Sequence, residues 1–254
     1  MKPKTFFLLL FSAFSLSMFA QINMKAEEAN LLKTLLKLRS NDQEMDLEKV
    51  SIQFENTLKT ILSKEESWHY KFPELRKYID IKQSKDKKIR TFSWDSRMGG
   101  SWHTLNTFIQ HETENGLHVF SLQNKKVLDN EELHANEAYR DAVIIDIHTF
   151  HNGYLLEGFG THGSGHHHKV LTYYELVNEK LIRKEIFENN QSIYVFLIPR
   201  KYDFDLEVNV ETKTITHSEF VMDNDIGFYM PTEKQVILTF DGKKFNKTIK
   251  NKKP

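Results

Sequence analysis

The chain has 254 residues with 35 basic and 35 acidic side chains, no cysteine, 19 Phe and 9 Tyr. Balanced charge removes the basic footprint by which a protein binds nucleic acid, and the missing cysteine removes disulfides, thiol catalysis and a lipid anchor on an N-terminal cysteine. Any metal centre must therefore be built from His, Asp and Glu.

The first twenty residues carry the pattern of an export signal. Lys2 and Lys4 precede an apolar run from Phe6 to Phe19, and Ala20 stands before the polar Gln21. Met18 occupies a position where a small residue is usual, so export is better marked than the cleavage point. The run is shorter than the ~20 residues that span a bilayer, and the mature chain is expected to have no transmembrane span. From Lys25 to about Tyr78 apolar residues recur at steps of three and four. Leu31, Leu32, Leu35, Leu36 and Leu38 form one stripe; Leu47, Val50, Phe54, Leu58, Ile61 and Leu62 form the next, after the break at Ser40-Asn41-Asp42. Pro73 suits the first position of a short third helix.

Beyond Ile79 the pattern changes to short β-branched and aromatic runs separated by turn signals. Ile89–Trp94, Thr104–His111, Leu117–Leu122, Val143–Phe150, Tyr154–Gly160, Val170–Val177, Ile193–Ile198, Thr214–Val221 and Val236–Phe240 all read as strands. Asn115-Gly116, Asn152-Gly153 and Asp241-Gly242 mark tight hairpins. Gln123–Arg140 is a polar excursion, read as a loop or one short helix; Leu181–Phe187, Leu206–Val210 and Lys244–Ile249 also read as strands, and the C-terminal lysine run as a solvated, frayed tail. The expected organisation is a signal peptide over 1–20, a helical hairpin over 21–80 and an antiparallel β domain over 81–254. The fold class is mainly β with an N-terminal helical segment: antiparallel meander sheets forming a sandwich, an open barrel or propeller-like sheets.

Four groups of residues bear chemistry. Trp94-Asp95-Ser96-Arg97-Met98-Gly99-Gly100-Ser101-Trp102-His103 joins two indoles and an Asp–Arg pair across a flexible turn. Indoles that stack, with Asp95, Arg97 or His103 bonding polar groups, suit a small molecule, glycan or peptide; the competing reading makes both indoles core anchors. The Asn115-Gly116 turn sets His111 and His118 as diagonal neighbours across a hairpin. The Asn152-Gly153 turn sets His148 opposite Glu157, an imidazole–carboxylate pair. Finally, Thr161-His162-Gly163-Ser164-Gly165-His166-His167-His168 places four imidazoles within seven residues, where His162, His166 and His168 are candidate ligands for a divalent transition metal such as zinc. An exposed polar hairpin tip accounts for the same residues equally simply.

Familiar catalytic motifs fail on inspection. Gly158-Phe159-Gly160-Thr161-His162-Gly163 matches the dinucleotide fingerprint, which needs a helix next inside a parallel unit. There is no Gly-x-Ser-x-Gly, no His-Glu-x-x-His and no phosphate-binding loop. Asp223-Asn224-Asp225 has Gly227 at position 5 and Lys234 at position 12, against the Gly 6 and Glu 12 of a calcium loop. The leading expectation is an exported, non-catalytic binding or envelope-associated protein, periplasmic or extracellular, with Trp94–His103 as its ligand contact. The alternative is a zinc-type hydrolase on the His162–His168 loop, with Glu157 or Asp146 as supporting base.

Overall fold

The computed structural model describes residues 23–40, 44–122, 142–163, 165–203 and 205–252, and of His162 the backbone alone. The export signal expected over 1–20 and the polar excursion at 123–140 lie outside the described residues. The fold is mainly β, 49% strand, with three antiparallel sheets and one N-terminal helical segment. No helix among the described residues is long and apolar enough to cross a membrane.

Helix α1 spans 23–38 and buries Met24, Glu28, Leu31, Leu35 and Leu38, one stripe at alternating steps of four and three. Leu36, placed on the stripe by sequence, instead points outward and is exposed. Helix α2 (Leu47–Leu62) starts where Asp46 accepts from the Lys49 N–H at 3.0 Å, and buries Phe54, Leu58, Ile61 and Leu62. A five-residue α3 (Glu65–His69) buries Trp68, and the turn expected near Pro73 is a 3-10 helix, Leu75–Lys77. That turn is capped from afar. The buried Glu28 accepts from the Glu74 N–H at 2.9 Å, the Leu75 N–H at 2.8 Å and the Tyr70 hydroxyl at 2.7 Å. Burial, then the Glu28 bond, raises the Tyr70 phenol above its usual range. Replacing Glu28 by Ala strands these donors, so Glu28→Ala should lower stability by about 3 kcal/mol in a urea titration followed by helix ellipticity.

The chain divides into two compact units: the residues up to Ile79 together with Gln110–Val119, and Asp80–Ile109 together with Phe120–Pro254. In the first, the fully buried Gln110 amide donates to Leu62 O at 2.7 Å and Ser67 Oγ at 2.8 Å, which fixes a hairpin tip to the α2–α3 corner.

Strands β1 (Asp80–Gln83), β2 (Ile89–Asp95), β3 (Leu105–Thr113) and β4 (Gly116–Ser121) pair in chain order. So do β5 (Val143–Phe150), β6 (Gly153–His162), β7 (His166–Val177) and β8 (Lys180–Arg183), with β9 (Ile193–Pro199) also on β7. The third sheet runs β10 (Glu207–Asn209), β11 (Thr214–Asp223), β12 (Phe228–Phe240) and β13 (Phe245–Asn251). Each sheet is a meander, as the frequent turns and missing crossovers imply. Alternation along β7 gives the second sheet two apolar faces. Leu171 and Tyr173, with Phe150 and Leu155, pack on Ile215, Val236 and Leu238 of the third sheet. Tyr174, with Ile147, Tyr154 and Leu156, packs on Ile89 and Ile109 of the first.

Backbone groups at the start of β5 are satisfied from the first sheet. Ile144 N–H donates to Ser93 Oγ at 2.9 Å, Thr107 Oγ1 donates to Ala142 O at 3.1 Å, and the two buried hydroxyls meet at 2.8 Å. At the other end, the strand read at Lys244–Ile249 is β13, and it continues through Asn251, so the lysine run is paired where a frayed tail was expected. Lys252 holds it there, its N–H on Glu233 O at 2.8 Å and its ammonium on Ser218 Oγ at 2.6 Å.

Both Asn-Gly hairpins sit one residue from the register their sequence implies. The turn residues are Glu114-Asn115 and His151-Asn152, and each glycine instead opens the following strand. Gly153 shows the reason. A Cβ there would lie 2.1 Å from Tyr174 O on β7, so the glycine is required by backbone approach inside the sheet, and the turn moves back onto His151 at φ 51°.

Candidate functional site

The two stretches that sequence marked separately, Trp94–His103 and His162–His168, come together at one end of the second unit. The 96–104 loop is shaped internally by Ser96 Oγ on Thr104 O at 2.8 Å, and Gly99 and Gly100 turn it at φ 86° and 62°. Asp95 Oδ2 meets His103 Nδ1 at 2.7 Å, while Asp95 Oδ1 accepts from the Arg97 N–H at 2.7 Å. An ionised carboxylate only accepts, so His103 Nδ1 carries a proton directed at Asp95. The His103 N–H then donates across to Thr161 Oγ1 at 2.9 Å.

Arg200, which follows β9, closes this junction. Its Nη2 donates to Gly163 O at 2.8 Å and Ser101 O at 3.3 Å, its Nε to His166 O at 3.5 Å, and its backbone N–H to Gly165 O at 3.0 Å. One side chain thus bonds both the 96–104 loop and the β6–β7 turn. From the third sheet, Phe228 lies over the same turn, stacked on the His166 ring at 5.2 Å, with Tyr229 edge-on at 5.8 Å. Gly165 makes room for it, since a Cβ there would come 2.6 Å from Phe228 Cε1. Burial holds the His166 imidazole below its ordinary pKa; burial and then the Arg200 charge do the same for His167. Arg200→Ala should leave the sheets intact yet separate the loops, raising amide exchange at Ser101–Thr104 and Gly163–His166 by about tenfold or more, read by hydrogen–deuterium exchange.

Among the other sequence candidates, Trp94 is 2% exposed and packs on Phe108 at 5.3 Å, so it anchors the loop from the core. Trp102 is half-buried, and Arg97 is exposed at φ 63°. His168 is fully buried. Register sets the His162 backbone opposite His166, and alternation turns His166 and His168 to one face of β7. Among the described residues no group of three His, Asp or Glu is placed to hold a metal ion. The suggested supporting bases, Asp146 and Glu157, belong to the opposite face of the sheet.

That face carries its own charged line. Buried Lys169 donates to Glu157 Oε1, His148 Nε2 lies 3.5 Å from Glu157 Oε2, and Asp146 Oδ2 is 3.8 Å from the same imidazole nitrogen. The His148–Glu157 pair exists, but as a diagonal contact, since His148 is paired with Leu155. Burial works to raise the Glu157 carboxyl; the bonds from His148 and Lys169 outweigh it and hold the group below its usual range. Deeper on the same face, the Tyr194 hydroxyl meets His217 Nε2 at 2.8 Å, and His217 Nδ1 donates to Ser218 O at 2.7 Å beneath Phe196. His111 and His118 stack directly at 5.0 Å instead of lying diagonally.

Sequence reasoning missed Arg200, Phe228, Lys169 and His217. Lys169 was findable: strand alternation puts it in line with Leu171 and Tyr173, where an unpaired charge has no place. The other three carry no local signal. Gly158-x-Gly160-x-x-Gly163 leads into strand β7, so the dinucleotide match has no helix behind it. No protein-family model matches the chain, and no curated protein sequence matches it.

Proposed function

We propose that this is an exported, non-catalytic binding protein whose ligand site is the junction between the 96–104 loop and the β6–β7 turn. The observation that carries this reading is Arg200, which spans 99 residues to Ser101 and 37 to Gly163. A loose polar tip gains nothing from such fastening, whereas a recognition surface assembled from two loops needs it. Asp95 orienting the His103 ring, and Phe228 laid on His166, add a positioned imidazole and a flat apolar ring. The export signal at 1–20 supports a periplasmic or extracellular setting.

Ligand-observed NMR with a library of small polar molecules tests the site. Hits should weaken by about tenfold in Trp102→Ala and in His103→Ala. Hits that bind these variants as well as wild type would remove the junction from consideration. Export is checked by fusing residues 1–20 to alkaline phosphatase; a fusion that stays inactive in the cytoplasm overturns it.

A second reading, a zinc-type hydrolase, draws on the register that sets His162 opposite His166 and on the neutral state favoured for the His166 ring, the form that ligates metal. Calorimetric zinc titration of wild type beside His166→Ala separates the two readings. Stoichiometric sub-micromolar binding lost in the variant supports the metal; weak binding shared by both sinks it.

A further inference from the structure

The third sheet ends on β13, whose residues from Asn246 to Asn251 are all exposed. Its outer edge is used only in part. The Phe245 N–H points away from β12 and donates to Ile186 O at 2.6 Å, and the next outward N–H, that of Lys247, meets Glu188 Oε1 at 3.3 Å. Outward groups recur every second residue of an antiparallel strand, so the N–H and C=O of Ile249 and Asn251 also face away from β12. Among the described residues these groups have no hydrogen-bond partner. The side chains beside them alternate in kind. Ile249 lies on the side of the sheet that carries the buried Val236 and Leu238, yet it is 47% exposed, while Thr248 and Lys250 lie on the other side. The strand holds two lysines, Lys247 and Lys250, and no acidic residue.

Lysines on an edge strand keep other strands away by charge, and therefore selectively. The β13 of a second copy would set Lys247 and Lys250 against like charges, whereas an acidic strand meets complementary ones. The chain itself shows the preference, since the carboxylate of Glu188 takes the Lys247 N–H. We infer that the outer edge of β13 is a docking site for an acidic, extended peptide of a partner protein. The peptide adds as a strand beyond Lys247 and pairs with the main chain of Ile249 and Asn251, with apolar side chains on the Ile249 side and carboxylates on the Lys250 side. This edge shares no residue with the loop junction and does not depend on its ligand.

The test titrates isotope-labelled mature protein with a synthetic peptide of about seven residues alternating Glu and Val, and with its Lys/Val counterpart, a length suited to one strand. Ile249→Pro removes an outward N–H and leaves the bonds to β12 in place. Lys250→Glu reverses an exposed charge without touching the backbone, and carries the test if the proline unfolds the strand. The acidic peptide should bind wild type, slow exchange of the Ile249 and Asn251 amides, and bind each folded variant at least about tenfold more weakly. The Lys/Val peptide should not bind. Equal binding of the two peptides, binding that survives in both variants, or no binding of the acidic peptide overturns the proposal. A wild-type dimer in sedimentation that is lost in Ile249→Pro would overturn it in favour of a second copy.

Discussion

Lys169→Met alone should cost about 3–5 kcal/mol, and Glu157→Gln a comparable amount, while Lys169→Met combined with Glu157→Leu should cost far less than their sum. The ammonium and the carboxylate face each other with side chains only 8% and 10% exposed. Removing one leaves the other in a poorly hydrated site. After Lys169→Met, His148 at 3.5 Å is the cation that remains beside Glu157 among the described residues. Removing both deletes the desolvation problem along with the attraction, which is why the double variant is the informative one. Urea titration at pH 7 of the four proteins gives the coupling directly. Single variants costing under about 1 kcal/mol would mean that water reaches the pair and that it behaves as a surface ion pair. The pH dependence has a fixed sign. Glu157 is held below its ordinary value of 4.5, so its contribution is complete above that pH and is lost as pH falls through the lower folded value. Wild type should therefore lose stability below about pH 4.5 more steeply than the double variant.

The second large effect lies in the first unit. As pH falls from 6.5 towards 4, wild type should lose up to about 3 kcal/mol through His111, a ceiling that solvent near the hairpin tip reduces. Burial, and then the facing His118, push the His111 imidazole down to about 4 from 6.5. The unfolded chain takes up the proton first, so acid favours unfolding throughout that interval. His111→Phe keeps a flat ring against His118 and removes the titration. Its stability should slope less steeply than that of wild type over this interval, where the depressed His166 and His167 still contribute, with the two compared by thermal melts at half-unit pH steps. Equal slopes would show that His111 is protonated as easily folded as unfolded. Proton NMR of the ring gives a direct check, with a midpoint near 4 expected.

The antiparallel class was legible because alternation and tight turns are local properties of the chain; strand order was not, since a strand such as β9, which returns to β7, carries no local mark of its partner. Register was legible only to within one residue. The Asn-Gly rule assumes that glycine serves the turn, and at Gly153 it serves the close approach of β7 instead. The helical stripes were readable for the same local reason, although Leu36 belongs to the solvent face. The candidate site was half visible. Its His-rich turn and its Trp–His loop each announce themselves by composition, and Asp95 with His103 lies within one short segment. Their meeting depends on Arg200 and on Phe228, a distant arginine and a phenylalanine from the third sheet. Neither has a local pattern that separates it from an ordinary surface cation or an ordinary strand aromatic.

The hydroxyl contacts of Ser93 and Thr107 bear on the order in which the second unit forms. Sheets paired in chain order need only short loops to close, so each can appear early and independently. The bond from the Ile144 N–H to Ser93 Oγ joins residues 51 positions apart and depends on two sheets having already met. It is expected to form after the folding barrier. A valine at position 93 should thus speed unfolding while leaving the refolding rate almost unchanged, making this buried pair of hydroxyls a setting for how long the native state lasts rather than how fast it is reached.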